Sequence, residues 1–260
     1  MIKKLFNRLY GDYLMPSRMK EYENIIIETK NQGFTFLSVR DVCTLSASNQ
    51  LPARYIVYRH DIDSDPITAR KMFEIEKKHN VRSSYYFRLS TVNIDLMKEI
   101  EIFGSEASYH FEEIATFAKQ KHIKAPDEII QKLPIIKELF FQNLTRLENR
   151  LDYKMTTVAS HGDFANRKLN IVNLELLKDK DFREKCGIVC ECYDQGLMQH
   201  FDTRINDAPY PVYYEPLSPI NALQQNKQKI YFLVHPKQWR SSFFYNTKEN
   251  LTRLYEGAKW

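Results

Sequence analysis

Apolar residues recur along this chain with two different periods, and the places where one period gives way to the other mark out its elements. Between residues 19 and 32, Tyr22, Ile25, Ile26 and Thr29 share one face at helical spacing, and Gly33 follows as a stop signal. Residues 34–37 then read as a short strand and 38–45 as a small helix, before a polar loop that ends at Pro52. The run Tyr55-Ile56-Val57-Tyr58-Arg59-His60-Asp61-Ile62-Asp63 is β-branched and aromatic and predicts a buried strand. Asp65 is a helix cap and Pro66 a first helical residue, opening a helix that turns Ala69, Met72 and Phe73 inward as far as Asn80. Further strands are expected at 83–88, 106–111, 155–160, 188–193 and 230–234, with a short helix from Asn93 or Asp95 to Gly104. A long amphipathic helix is expected from about 126 to 152, with Ile129, Ile130, Leu133, Ile136, Leu139, Phe140, Leu144 and Leu147 near helical spacing. Pro134 should kink or split it, because the ring removes a hydrogen bond.

Seven strands alternating with helices imply parallel β and α units packed in layers. No internal repeat or linker divides the 260 residues, so one domain is expected, with a helical N-terminal extension over about residues 1–50. Composition changes little in this picture: 43% hydrophobic, 27% charged and few glycines exclude a disordered or fibrous chain. The formal charge of +5 is spread along the chain without a basic block, which argues against a nucleic-acid partner. No run is long enough for a transmembrane span, and Met1 to Phe6 is followed at once by Asn7 and Arg8, so no signal peptide is expected and the protein is placed in the cytoplasm. Cys43, Cys186, Cys190 and Cys192 lack zinc-ribbon spacing and read as small apolar residues.

The candidate chemistry lies at strand ends. Asp61 and Asp63 are two residues apart, so a strand that persists to Asp63 places both carboxylates on one face, where like charges demand a cation or a shared proton. Arg59 shares that face, and an ion pair with purely structural purpose is the plainer alternative. His110, His161 and His235 also follow predicted strands, and in barrel folds that rim carries the active site. Carboxylate and imidazole together are the ligand types of zinc or a similar divalent ion. His79, His122 and His200 read as ordinary hydrogen-bonded residues.

Taken together, these segments resemble the polysaccharide deacetylase superfamily, the NodB-homology fold of carbohydrate esterase family four, and its divergent members met in surface-polysaccharide and O-antigen gene clusters. Arg59-His60-Asp61-Ile62-Asp63 looks like the family's first motif, in which the first Asp is general base and the second a metal ligand. The stretch 104–110 is similar to the motif whose final His, here His110, binds metal. Residues 233–239 look like the last motif, whose His, here His235, is the general acid. Asp202-Thr203-Arg204 stands where an Asp and an Arg support that His. Two departures are plain: the second metal His of typical members falls at Ile114, and the usual third motif is replaced by Ser160-His161-Gly162-Asp163. His161 is the expected third ligand, with Glu112 as the alternative.

The resemblance implies a distorted (β/α)-barrel of about seven parallel strands. It implies a divalent metal, most simply Zn, on Asp63, His110 and His161, with Asp61 and His235 catalytic and Arg59 and Asp202 in support. Tyr109, Arg204 and Trp239 are expected to bind substrate. That substrate would be an N-acylated amino sugar or glycan, carried on a nucleotide or a lipid, met during surface-polysaccharide (lipopolysaccharide, O-antigen) biosynthesis. An inactive relative that binds a glycan or a biosynthetic partner, and a hydrolase of another C–N bond, are the alternatives.

Overall fold

Among the described residues nine strands, rather than seven, pair into one sheet. The structure, a computed structural model, describes residues 2–260. It opens with α1 (Ile2–Leu9), α2 (Met19–Asn31), β1 (Thr35–Leu37), α3 (Val39–Ala47), β2 (Tyr55–Ile62), α4 (Pro66–His79) and β3 (Ser84–Phe87). There follow α5 (Ile94–Phe103), β4 (Glu106–Phe111), α6 (Glu113–Lys121), α7 (Pro126–Leu151), β5 (Thr157–Ser160), α8 (Phe164–Leu169) and α9 (Lys180–Lys185). The last third holds β6 (Cys190–Glu191), α10 (Gln195–Met198), β7 (Thr203–Asp207), β8 (Tyr214–Glu215), α11 (Pro219–Gln224), β9 (Lys229–Val234) and α12 (Phe243–Lys259). Strand order is β6-β5-β4-β3-β2-β9-β7-β8, with β1 on the first half of β2; every pairing is parallel except that of the short β8 with β7. The sequence reading lacks β7 and β8. Only one of the five β7 residues, Thr203-Arg204-Ile205-Asn206-Asp207, is an aliphatic side chain, so the strand is set by its pairing with β9 rather than by its own pattern.

The sheet is curled. Alternate residues of β2 divide between two environments: Tyr55 and Val57 pack inside with Tyr86, Ala159, Cys190, Cys192 and Tyr231, while Ile56 and Tyr58 pack outside against α2. Side chains from β1, β2, β3, β5, β6 and β9 meet in that inner cluster, so the concave face is a packed interior with a half-barrel wall around it. Outside, Tyr22, Ile25 and Ile26 of α2 and a large cluster under α5 to α7 cover the convex face. Each such fully buried apolar side chain contributes roughly 1.5–3 kcal/mol.

Three expectations change here. The N-terminal extension is largely part of the fold, because β1 pairs with β2 and α2 is buried on the sheet. Strand β2 ends at Ile62, one residue before Asp63. Helix α7 runs unbroken through Pro134. Pro134 and Ile130, whose carbonyl loses its partner, both lie on the exposed side of α7, where water can take the vacant bond.

Candidate functional site

The inner parity of β2 continues as Arg59 and then Asp61, which carries a charged pair into the barrel interior. Arg59 is wholly buried and donates Nε to Asp61 Oδ1 at 2.8 Å and Nη2 to Oδ2 at 2.7 Å. The Tyr193 ring lies 4.5 Å from the guanidinium, and the Tyr193 and Tyr231 hydroxyls are each 3.3 Å from it. Burial alone would raise the Asp61 pKa, but the Arg59 charge, with those of His110 and His235, outweighs it and keeps the carboxyl below its ordinary value. His60, between the two, points outward to Glu76 at 2.7 Å. The plain ion pair is therefore formed, and the same Asp61 carboxylate also lies beside the His110 imidazole.

Asp63, just past the strand, faces two imidazoles. His110 comes from β4, whose register sets it opposite Ala159 of β5, and its Nδ1 lies 3.0 Å from the Ala159 carbonyl. That contact turns Nε2 toward Asp63 Oδ1, at 3.3 Å, and toward Asp61 Oδ2, at 3.5 Å. His161 follows β5, its backbone N–H held by the Phe111 carbonyl at 2.8 Å, and its Nε2 is 3.6 Å from Asp63 Oδ1. Ligand atoms of Asp63, His110 and His161 all lie within 4.8 Å of one another. Asp63 Oδ1 is buried with no hydrogen-bond partner, which is what a carboxylate oxygen awaiting a cation looks like. Burial lowers the His161 pKa and so favours the neutral ring that a metal requires; at Asp63 burial would raise the pKa, but the imidazoles of His161, His110 and His235 around it hold the carboxyl well below its ordinary value. The residues present fit a divalent ion.

Glu112 stands behind this trio rather than in it. Arg88 grips its carboxylate at 2.9 and 2.7 Å, and Glu112 Oε2 lies 3.3 Å from His161 Nδ1. Burial would raise its pKa, but His161 and Arg88 bring it down to about 2, so it stands as an anion on the far side of the imidazole. Glu112, His161 and Asp163 form a second group of ligand types, but Arg88 and Lys119 already neutralise its two carboxylates. His161→Ala should abolish stoichiometric metal binding, and Glu112→Gln should weaken it by roughly 10- to 100-fold. Titration of chelator-stripped protein with Zn, followed calorimetrically, checks both; unchanged affinity in His161→Ala would remove it from the ligand set.

His235 follows β9 on the other side of β2. Its Nδ1 lies 2.6 Å from Asp207 Oδ1, its backbone N–H donates to Asp207 Oδ2 at 2.6 Å, and Trp239 Nε1 donates to the same oxygen at 2.9 Å. Burial would depress the His235 pKa, but the Asp207 carboxylate, with Asp63 and Asp61 beyond it, raises it to about 9. The expected partner Asp202 sits elsewhere: its Oδ2 accepts the backbone N–H groups of Gln228 and Lys229, where β9 begins. Asp207 was missed because β7 was not recognised as a strand. Its signal was the same as that of the others, a polar residue at a strand's C-terminal end.

The three residues expected to bind substrate do not line the opening. Tyr109 is fully buried on the outer face, its hydroxyl on Glu113, because its neighbour His110 takes the inner face of the same strand. Trp239 is fully buried and holds Asp207. Arg204 is exposed on β7 and donates to the Met198 carbonyl at 3.3 Å. The space beside the trio is a cleft of about 790 Å³ that starts at Asp63 and His161 and is walled by Arg88, Phe164, Arg167 and residues of α12.

No family model matches this chain, and no curated protein matches it. Among solved structures, a Streptococcus pyogenes deacetylase, PplD, in complex with acetate, aligns over 57% of this chain with 16% identity and a TM-score of 0.40. The aligned part spans 66% of that chain, just under two thirds of its length. No described helix is long and apolar enough to cross a membrane.

Proposed function

We propose that this protein is a metal-dependent hydrolase that removes an acyl group from an N-acylated amino sugar during surface-glycan assembly. The observation that carries the reading is the meeting, at one rim, of three parts: the Asp63, His110 and His161 trio, the Asp61–Arg59 pair, and the His235–Asp207 pair. Their residues come from five separate stretches of sequence, 59–63, His110, His161, Asp207 and His235, and together they supply what amide hydrolysis needs. The likeness of 59–63, 104–110 and 233–239 to deacetylase motifs supplies the sugar acetamide as substrate class.

A divalent ion on Asp63, His110 and His161 would polarise the acyl carbonyl and acidify water. Asp61 takes the proton of the attacking water, and Arg59 keeps that carboxylate ionised and fixed in direction. The amine leaves only when protonated. His235, held in its charged form by Asp207, supplies that proton, while Trp239 and the His235 N–H keep Asp207 in place.

The direct test is acetate release from a panel of N-acetylated amino sugars, free, nucleotide-linked and lipid-linked, by protein stripped of metal and then reloaded with Zn, Co, Mn or Ni. Turnover that depends on an added ion and on one sugar class supports the reading. Tight sugar binding without acetate release under any metal would instead assign a binding protein, and release only from non-sugar amides would assign a different C–N substrate.

A further inference from the structure

A helix on the surface of a globular protein normally turns its apolar stripe inward. Helix α12 does the reverse. Its one buried residue is Asn246, whose side-chain amide donates to the Asp12 carbonyl at 2.6 Å. Its acidic side chains face other parts of the protein, Glu249 on Lys237 and Glu256 on Lys119. Outward it presents Phe243, Phe244, Leu251, Leu254 and Tyr255, of which Phe243 is 76% and Leu254 70% exposed. At about 100° per residue these five fall within one arc of about 120°, and Lys248 and Lys259 border it on one side.

Helix α1 and the turn after it lie against α12 and repeat the arrangement. Asn250 donates to Asp12 Oδ2 at 3.0 Å, and Tyr13 packs on Phe243 with ring centroids 5.5 Å apart. Leu5, Phe6, Leu9 and Leu14 are exposed, Phe6 by 60%. The charge is as uneven as the polarity. The two helices hold six basic residues, Lys3, Lys4, Arg8, Lys248, Arg253 and Lys259, against Glu249 and Glu256, and so contribute four of the chain's five net positive charges.

We propose that α1 and α12 form a docking surface for an anionic phospholipid bilayer. Exposed Phe, Leu and Tyr with Lys and Arg at the margins are what an interfacial helix pair uses, with its apolar side chains among acyl chains and its cations at the headgroups. A second copy is the poorer occupant, because a two-fold interface would set this basic surface against itself. Phe244 and Lys248 also border the cleft beside Asp63 and His161, so docking here would bring the mouth of that cleft to headgroup level.

The test is co-sedimentation of the full chain with vesicles of phosphatidylglycerol mixed into phosphatidylcholine, compared with phosphatidylcholine alone. Partitioning should be at least about tenfold stronger to the anionic vesicles and should fall with salt. Phe243→Ser/Leu254→Ser should lower it by at least about tenfold, and so should the charge reversal Lys3→Glu/Lys4→Glu/Arg8→Glu, which leaves every apolar residue in place. These positions are exposed, and circular dichroism of each variant establishes that it is folded. Absence of partitioning by the folded wild type overturns the proposal. So does sedimentation equilibrium showing a wild-type oligomer that Phe243→Ser/Leu254→Ser dissociates, which would assign the surface to a second copy. No substrate is turned over in this assay, so its result is separate from that of the hydrolase reading.

Discussion

Asp61→Asn is expected to lower turnover by roughly 10²- to 10⁴-fold, the range for loss of a general base, while the protein keeps the wild-type metal stoichiometry. The amide has the shape of the carboxylate but cannot accept the proton. A second effect follows from the burial of Arg59. With Asp61 replaced by Asn, a wholly buried guanidinium keeps only uncharged partners, the Tyr193 ring, the Tyr193 and Tyr231 hydroxyls at 3.3 Å and the Asn oxygen, and loses its counter-charge. Stranding one partner of a buried pair costs about 3–5 kcal/mol, and because Asn retains one acceptor the loss should fall toward the lower end. The melting temperature should therefore drop along with the activity. Arg59→Met/Asp61→Asn removes the stranded charge and should regain much of the stability while remaining inactive. Acetate-release rates, metal content and thermal melts of the three proteins separate the two effects. Turnover that returned together with stability would make Asp61 a structural residue, and loss of the ion from Asp61→Asn would make it a ligand.

What the sequence reveals about this fold follows from how local each determinant is. Helix α4 is legible from its ends: Asp65 accepts the Thr68 N–H at 2.9 Å, Pro66 needs no donor, and Asn80 closes it with φ +51°. Helix α5 likewise runs from its Asn93 cap to Gly104 at φ +91°. Strands β2, β3, β4 and β9 are legible because parallel strands covered on both sides read as continuous apolar runs. Strand β7 is not, since it is polar and lies toward the edge of the sheet, and its existence depends on its pairing with β9. Helix α12 is another omission. Its sequence carries an apolar stripe, but the stripe faces away from the core, so no inward packing announces it.

The same division runs through the site. Asp61, Asp63, His110, His161 and His235 can be picked out because parallel strands that wind around one interior bring their C-terminal ends to one rim. Their partners cannot, because a partner depends on register and on which strand lies next. Asp207 meets His235 only because β7 lies beside β9, and Glu112 reaches His161 only because β4 lies beside β5. Tyr109 shows the opposite case. Once His110 is assigned to the inner face, the period of two already places Tyr109 outside, and its aromatic ring gives no reason to overrule that.

His235→Ala should slow hydrolysis of an amide by roughly 10²- to 10⁴-fold and that of an activated ester by much less, because an activated alcohol departs without a proton and an amine does not. Metal content should be unchanged. Asp207 makes a finer test of the same assignment, since it acts on the reaction only through His235. With the His235 pKa raised to about 9, the acid form is present at neutral pH, and amide turnover should be lost as pH rises through that value. The same shift stabilises the fold. The contribution is fully present below the ordinary histidine value of 6.5 and disappears as pH rises toward about 9. Asp207→Asn removes the anion but keeps an acceptor for Nδ1–H, so the alkaline limb of kcat should move down toward 6.5 with little change in KM, and the stability lost between 6.5 and 9 should shrink. A bound dication near the ring would lower both limbs alike, which makes the separation between wild type and Asp207→Asn the quantity to measure. If His235 merely tied off the end of β9, the Ala variant would lose amide and ester activity equally, and the limb would stay where it is in Asp207→Asn.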